Sequence, residues 1–264
     1  MEEALASLSS QKMGDALEVI VQDGDIESDF GQSDALNRGF AKARGKWFFW
    51  LNADDVLLPG ALEKVQGKIF NAEAQRRREA EGDEIKVKVK GEEVVKVNGG
   101  GRGVEFNWIV GDTVYLDEKG IVKDVRCDAR WRWWFGKRMS VWTGGPSAFF
   151  RRELWKRLGG LDTSLKYVMD IDLWTRWAKA GARFDSLMCP VWGFRMHEGS
   201  KTMNGKNRIE QREELARVDA MHGVSSMGFW RNVTRVASII DGSWMKRKYD
   251  SAVLHNKHWK ECTA

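Results

Sequence analysis

Residues 46–60 read KWFFWLNADDVLLPG, and the fold is decided by how this stretch is parsed. The apolar run Trp47 to Leu51 stops abruptly at Asn52, Asp54 and Asp55. A continuous run of this length, bounded by polar residues, has the form of a buried strand of an α/β sheet. Ligands of open α/β sheets bind just beyond the carboxyl ends of strands. Two carboxylates and an amide there offer the hard oxygen donors that Mg²⁺ or Mn²⁺ prefers, and those ions share their coordination with substrate phosphates. The competing reading is local: the same residues can cap the helix that starts after Pro59.

Working outward, Leu17 to Val21 reads as a second strand, ending at Asp23. The spacing of Leu36, Phe40 and Ala43 predicts a helix over 33–43 that feeds Trp47 to Leu51 as the central strand. The intervening DGDIESDFGQSD has calcium-loop acids but Ser28 where the loop needs glycine, and a strand pattern before it, which argues against an EF-hand. A helix is expected from Ala61 to about Ala74. The alternation IKVKVKGEEVVKV predicts a solvated hairpin turning near Gly91, and 73–104 reads as a surface insertion. Strand character is expected at 107–111, 113–116 and 183–191, and helices at 168–178, 207–223 and 229–240, before a basic tail. Within the helix at 168–178, Asp170 and Trp174 share a side and Asp172 turns roughly 200° away. The cluster WRWWFGKR at 131–138 reads as core or as a wall of a cleft.

The totals narrow the classes. At 264 residues with 42% apolar content the chain suits one α/β domain with an insertion, and a net charge of +5 is low for a dedicated nucleic-acid binder. The three cysteines lack CxxC spacing, so neither a zinc site nor a disulfide framework is indicated. No apolar run approaches the ~20 residues that span a bilayer, and MEEALASL lacks the pattern of a signal peptide.

Taken in order, VIVQDG, GQSDALNRGFAKARG, WLNADDVLLPGAL, GGPSAFFRRELWKRLGGLD, YVMDIDLWTRWAKAG and FRMHEGSKT resemble the inverting family 2 glycosyltransferases. The resemblance implies a GT-A fold, a Rossmann-like mixed α/β sheet flanked by helices, over 1–205, with 206–264 as a helical, basic extension. It implies a nucleotide-sugar donor, most often a UDP-sugar, and a glycan, lipid or protein acceptor. Nucleic acid is not an expected partner, and a peripheral membrane contact is compatible with the basic charge. By the same resemblance Asp23, Asp34, Asn52, Asp54 and Lys201 contact the donor nucleotide or its diphosphate. Asp54, Asp55 and His197 hold a divalent cation, and Asp170 is the general base. Trp174 and the tryptophans of 131–134 offer apolar faces for a sugar. Met169 stands where the family places a Glu. The family opens with a strand whose loop contacts the base, whereas this sequence starts in the helix that follows it, so the first strand and part of the nucleotide-binding half are expected to be missing. A rival reading follows: an inactive or fragmentary relative that binds nucleotide or glycan without turnover. Location is left open between the cytosolic face of membranes and the secretory lumen.

Overall fold

Alternate side chains of an extended segment point to opposite faces, and Trp47 to Leu51 obeys that rule. Phe48 and Trp50 enter one hydrophobic cluster, while Trp47, Phe49 and Leu51 pack against another. The computed structural model describes residues 1–23, 29–80, 85–89, 92–96, 107–127, 140–197, 199–200, 207–225 and 229–264. Lys201, the 131–138 aromatic cluster and the GGGRG stretch lie outside them.

Among the described residues a six-stranded sheet carries the fold. Its members are β1 (Trp47–Phe48), β2 (Val56–Leu57), β5 (Trp108–Leu116), β6 (Val122–Arg126), β7 (Ala148–Arg151) and β8 (Phe184–Arg195). The order is β1-β7-β5-β8-β2, with β6 also paired to β5. Only β5 and β8 run parallel; β1 with β7, β7 with β5, β2 with β8 and β5 with β6 are antiparallel. The sheet is thus mixed, as expected, but its centre is β5. Trp47 to Leu51, anticipated as central, contributes two paired residues at one end of the order.

Leu17 to Val21 forms no strand, correcting the expectation. The segment is extended after a 3-10 turn at Gly14–Ala16, and Val19 and Val21 are about half exposed. Its apolar pattern has β form, but a strand exists only where a neighbour accepts its backbone bonds. A cleft lies between 17–22 and 47–52 instead.

Helix α1 (Glu2–Ser9) docks through polar groups as much as apolar ones: Ser7 Oγ accepts the Leu57 amide (3.0 Å) and Gln11 Nε2 donates to the Leu58 carbonyl (2.9 Å). Helix α2 (Gln32–Lys42) occupies the predicted place. Helix α3 (Ala61–Ala80) runs a turn and a half beyond the expected end, and β3 (Ile85–Val89) pairs with β4 (Glu92–Lys96) as the anticipated hairpin.

Beyond β7 come α4 (Arg152–Leu158), α5 (Met169–Lys179), α6 (Arg208–His222), α7 (Phe229–Ile240) and α8 (Ser243–Leu254). The basic tail is therefore largely helical. Arg247 of α8 bonds the Val125 carbonyl and Asp124 of β6, and Lys246 Nζ reaches buried Asp112 at 2.9 Å. Trp259 and Cys262 are buried against β2, β5 and β6. Lys246, Arg247, Trp259 and Cys262 thus pack on the same sheet as the residues before 206.

One core cluster is built on indoles. Trp174 stacks on Trp50 (centroids 5.6 Å apart, planes at 11°) and on Trp108 (4.7 Å, 24°), while Trp177 meets Trp174 edge-on. Trp174 is completely buried. It cannot offer a face to a sugar, which corrects that expectation: α5 descends from the cleft into the core, so one turn beyond Asp170 the same helix face is already beneath the cleft floor.

Candidate active site

Three chain segments meet at one cleft of about 1320 Å³: the turn after Leu51, the loop before β7 and the start of α5. Its lining includes Asn52, Asp54, Trp142, Gly144, Gly145 and Asp170, together with Arg126 and, from α6, Arg208, Gln211 and Arg212.

The Asn52 to Asp55 turn separates its two acids. Asp55 is fully buried and turned inward, accepting the Arg195 amide (3.0 Å) and the Asn52 side-chain amide (2.8 Å). Burial pushes its carboxyl up to about 7. Asp54 faces outward, and its Oδ2 lies 2.9 Å from His197 Nε2. The pairing of Val56 with Gly193 and of Leu57 with Trp192 brings the loop after β8 alongside the residues before β2, which is how His197, 143 positions away, reaches Asp54. Asn52 Oδ1 accepts from Gln32 Nε2 at 2.9 Å, tying the turn to α2.

The donor set suits a hard divalent ion. One outward carboxylate and one imidazole leave most of the coordination to phosphate oxygens and water, as Mg²⁺-type sites do. Among the described residues, the Asp112, Cys127 and Asp250 group also has metal-ligand chemistry, but Lys246 already bonds both of its carboxylates.

Asp170 is the second residue of α5 and opens onto the cleft. Its Oδ1 accepts the Ile171 amide at 2.8 Å. Burial pushes its carboxyl up to about 6, against the opposing pull of neighbouring amides and of the Arg126 charge. Asp172, two residues on, is buried and bound to Arg176 (2.8 Å) and His222 (2.7 Å), a structural carboxylate.

The TGGPS loop fits this site because two of its residues lack a side chain. A Cβ on Gly145 would stand 2.3 Å from Trp50, and one on Gly144 would stand 2.3 Å from Trp192. The bare backbone lies against both indoles, and the Gly145 amide acts on Asp170. Gly145→Ala is expected to cost about 1–3 kcal/mol of stability through overpacking, measurable as a lowered denaturant midpoint with unchanged m.

Of the remaining expected contacts, Asp34 is occupied locally, pairing with Arg38 at 2.8 Å and accepting the Phe30 amide. Asp23 ends the extended 17–22 segment and is not among the residues lining the cleft. Arg126 and the α6 residues were missed, since charges in strand and helix patterns otherwise read as solvated faces.

The family model described as glycosyl transferase family 2 matches residues 25–94, a range that includes the Asn52 to Asp55 turn. No curated protein matches the chain. Solved structures share its fold, two TarS complexes among them. One is S. aureus TarS 1–349 in complex with UDP, at 13% identity and a TM-score of 0.50, covering 84% of this chain and 60% of that one. The other is S. aureus TarS 1–349 in complex with UDP-GlcNAc, at 12% identity and 0.51, covering 83% and 61%. The chain thus spans about three fifths of the length of these structures. The family model matches part of the chain, and the two solved structures share its fold, a mixed α/β sheet of the GT-A type.

Proposed function

We propose that the chain transfers a sugar from a nucleotide-diphosphate donor to an acceptor hydroxyl with inversion, assisted by a divalent cation. The supporting observation is that Asp54, paired with His197, and Asp170 open onto one cleft. A UDP-sugar is the donor favoured by analogy with the TarS complexes.

In this reading Asp170 takes the proton from the acceptor hydroxyl as that oxygen attacks the anomeric carbon. The bond to the diphosphate oxygen breaks on the other face of the sugar, so configuration inverts in one displacement. Asp54 and His197 would hold the cation, which when bound would supply neutralisation of the charge on the departing diphosphate. Asp55 and Asn52 fix the turn from which Asp54 projects. The Gly144-Gly145 backbone and Trp142 bound the space beside Asp170.

Calorimetric titration with UDP, with and without Mn²⁺, tests the donor side. Outer-shell changes typically weaken metal sites about 10- to 100-fold, and loss of a ligand should do no less. Asp54→Ala and His197→Ala are therefore expected to reduce Mn²⁺-dependent UDP affinity by at least roughly tenfold. Equal affinity with and without metal would count against the cation. Tight binding without hydrolysis or transfer of a UDP-sugar would favour the non-catalytic reading.

A further inference from the structure

The start of α5, which carries Asp170, is held by a carboxylate from another helix. Glu214 of α6 is almost wholly buried. Its Oε1 accepts the Lys166 amide (2.9 Å), and its Oε2 accepts the amides of Tyr167 (2.6 Å) and Val168 (2.9 Å). The first amides of a helix and those leading into it have no intrahelical acceptor, and here Val168, the residue just before α5, supplies no side-chain cap. Glu214 instead fixes, from across the fold, the three residues that lead into α5, and the negative charge beside a helix N-terminus is electrostatically favourable.

It also pairs with Arg217, 3.8 Å away and mostly exposed. A buried carboxylate whose main partners are three consecutive amides is suited to fixing backbone. Two helical turns later, His222 of α6 binds Asp172 at 2.7 Å. The same helix therefore grips α5 just before Asp170 and again two residues after it. Tyr167 adds a third tie, its hydroxyl meeting Glu210 of α6 at 2.7 Å.

We infer that Glu214 is a positioning residue for Asp170: it sets the place of the first turn of α5, and so the direction from which the carboxylate meets the acceptor. This rests on the reading of Asp170 as the base. It also gives α6 a part in the site, although its sequence, RIEQREELARVDAMH, reads as a solvated helix.

Glu214→Gln tests this with little change of volume. The amide replaces one acceptor oxygen by an N–H donor that faces backbone donors, so the grip on 166–168 loosens. With UDP-GlcNAc as donor and water as acceptor, kcat is expected to fall roughly 10- to 100-fold, as misplacement of a reacting group does. The donor KM and UDP affinity should stay unchanged, a split that general destabilisation would not produce. The carboxyl carbon of Asp170, followed by NMR and needing no turnover, should titrate at a midpoint moved down from near 6 as water reaches it. A folded Glu214→Gln chain with wild-type kcat, or with an unmoved Asp170 midpoint, overturns the inference. Asp170→Asn is run in parallel. Turnover surviving that substitution overturns the base assignment itself, whereas loss of turnover there with wild-type kcat in Glu214→Gln overturns only the role of Glu214.

Discussion

Asp170→Asn is expected to lower turnover by about 10²- to 10⁴-fold, the usual contribution of a positioned general base, while leaving Mn²⁺-dependent UDP binding intact. Asn keeps the size and the acceptor oxygen for the Ile171 amide, so the fold is preserved while the basic group is lost. The wild-type pH profile carries a linked expectation. A base works as the carboxylate, and the carboxyl of Asp170, the proposed base, is pushed up to about 6. Turnover should therefore rise roughly tenfold between pH 5 and pH 7 and flatten above. Stability runs the opposite way. A carboxyl whose folded-state value is raised favours the fold while protonated, so its contribution is complete below about pH 4 and is lost as pH rises through about 6. At pH 7 Asp170→Asn should melt no lower than wild type, and at pH 4 it should have lost that advantage. An acid limb in the wild-type rate that persists unchanged in the residual rate of Asp170→Asn would assign the limb to another group.

The second large effect lies beneath the site. Trp174→Ala should cost about 3–5 kcal/mol, the range for truncating a fully buried large aromatic side chain. The indole is sandwiched between Trp50 and Trp108 and meets Phe150 and Trp177 edge-on, so the neighbours cannot collapse without breaking other ring contacts. Equilibrium denaturation measures the loss directly. Trp174→Phe keeps most of the volume and should retain more than half of that stability. A loss below about 1 kcal/mol for Trp174→Ala would mean that the stack relaxes freely, contrary to close packing of this cluster.

Much of the site was legible in sequence because the chemistry clusters at chain reversals. The break from Trp47–Leu51 into Asn52–Asp55, the helical spacing after Asp170 and the order of the family motifs located the three segments that meet at the cleft. Which of two adjacent acids faces solvent was not legible. Asp54 and Asp55 are both acceptable in such a turn, and only the Arg195 amide arriving from β8 draws Asp55 inward. Leu17 to Val21 was misread because apolar alternation describes a side-chain pattern, whereas a strand also needs a neighbouring backbone. Trp174 was misplaced because periodicity gives the face of a helix but not the depth to which it runs. Glu214 carried no signal at all: surrounded by charged residues on a helix of low amphipathicity, it becomes distinct only when Lys166 to Val168 fold against it.

Trp50 stands two residues before Asn52 and Trp174 four residues after Asp170, and their rings lie nearly parallel at 5.6 Å. That stack is also an optical gauge. Indoles held so closely couple their electronic transitions, so the aromatic circular dichroism of the protein should carry a band set by the separation and tilt of these two rings and of Trp108, stacked on Trp174 at 4.7 Å. A ligand that shifts Trp50 against Trp174 changes that band in the absence of turnover, with no label attached to the chain.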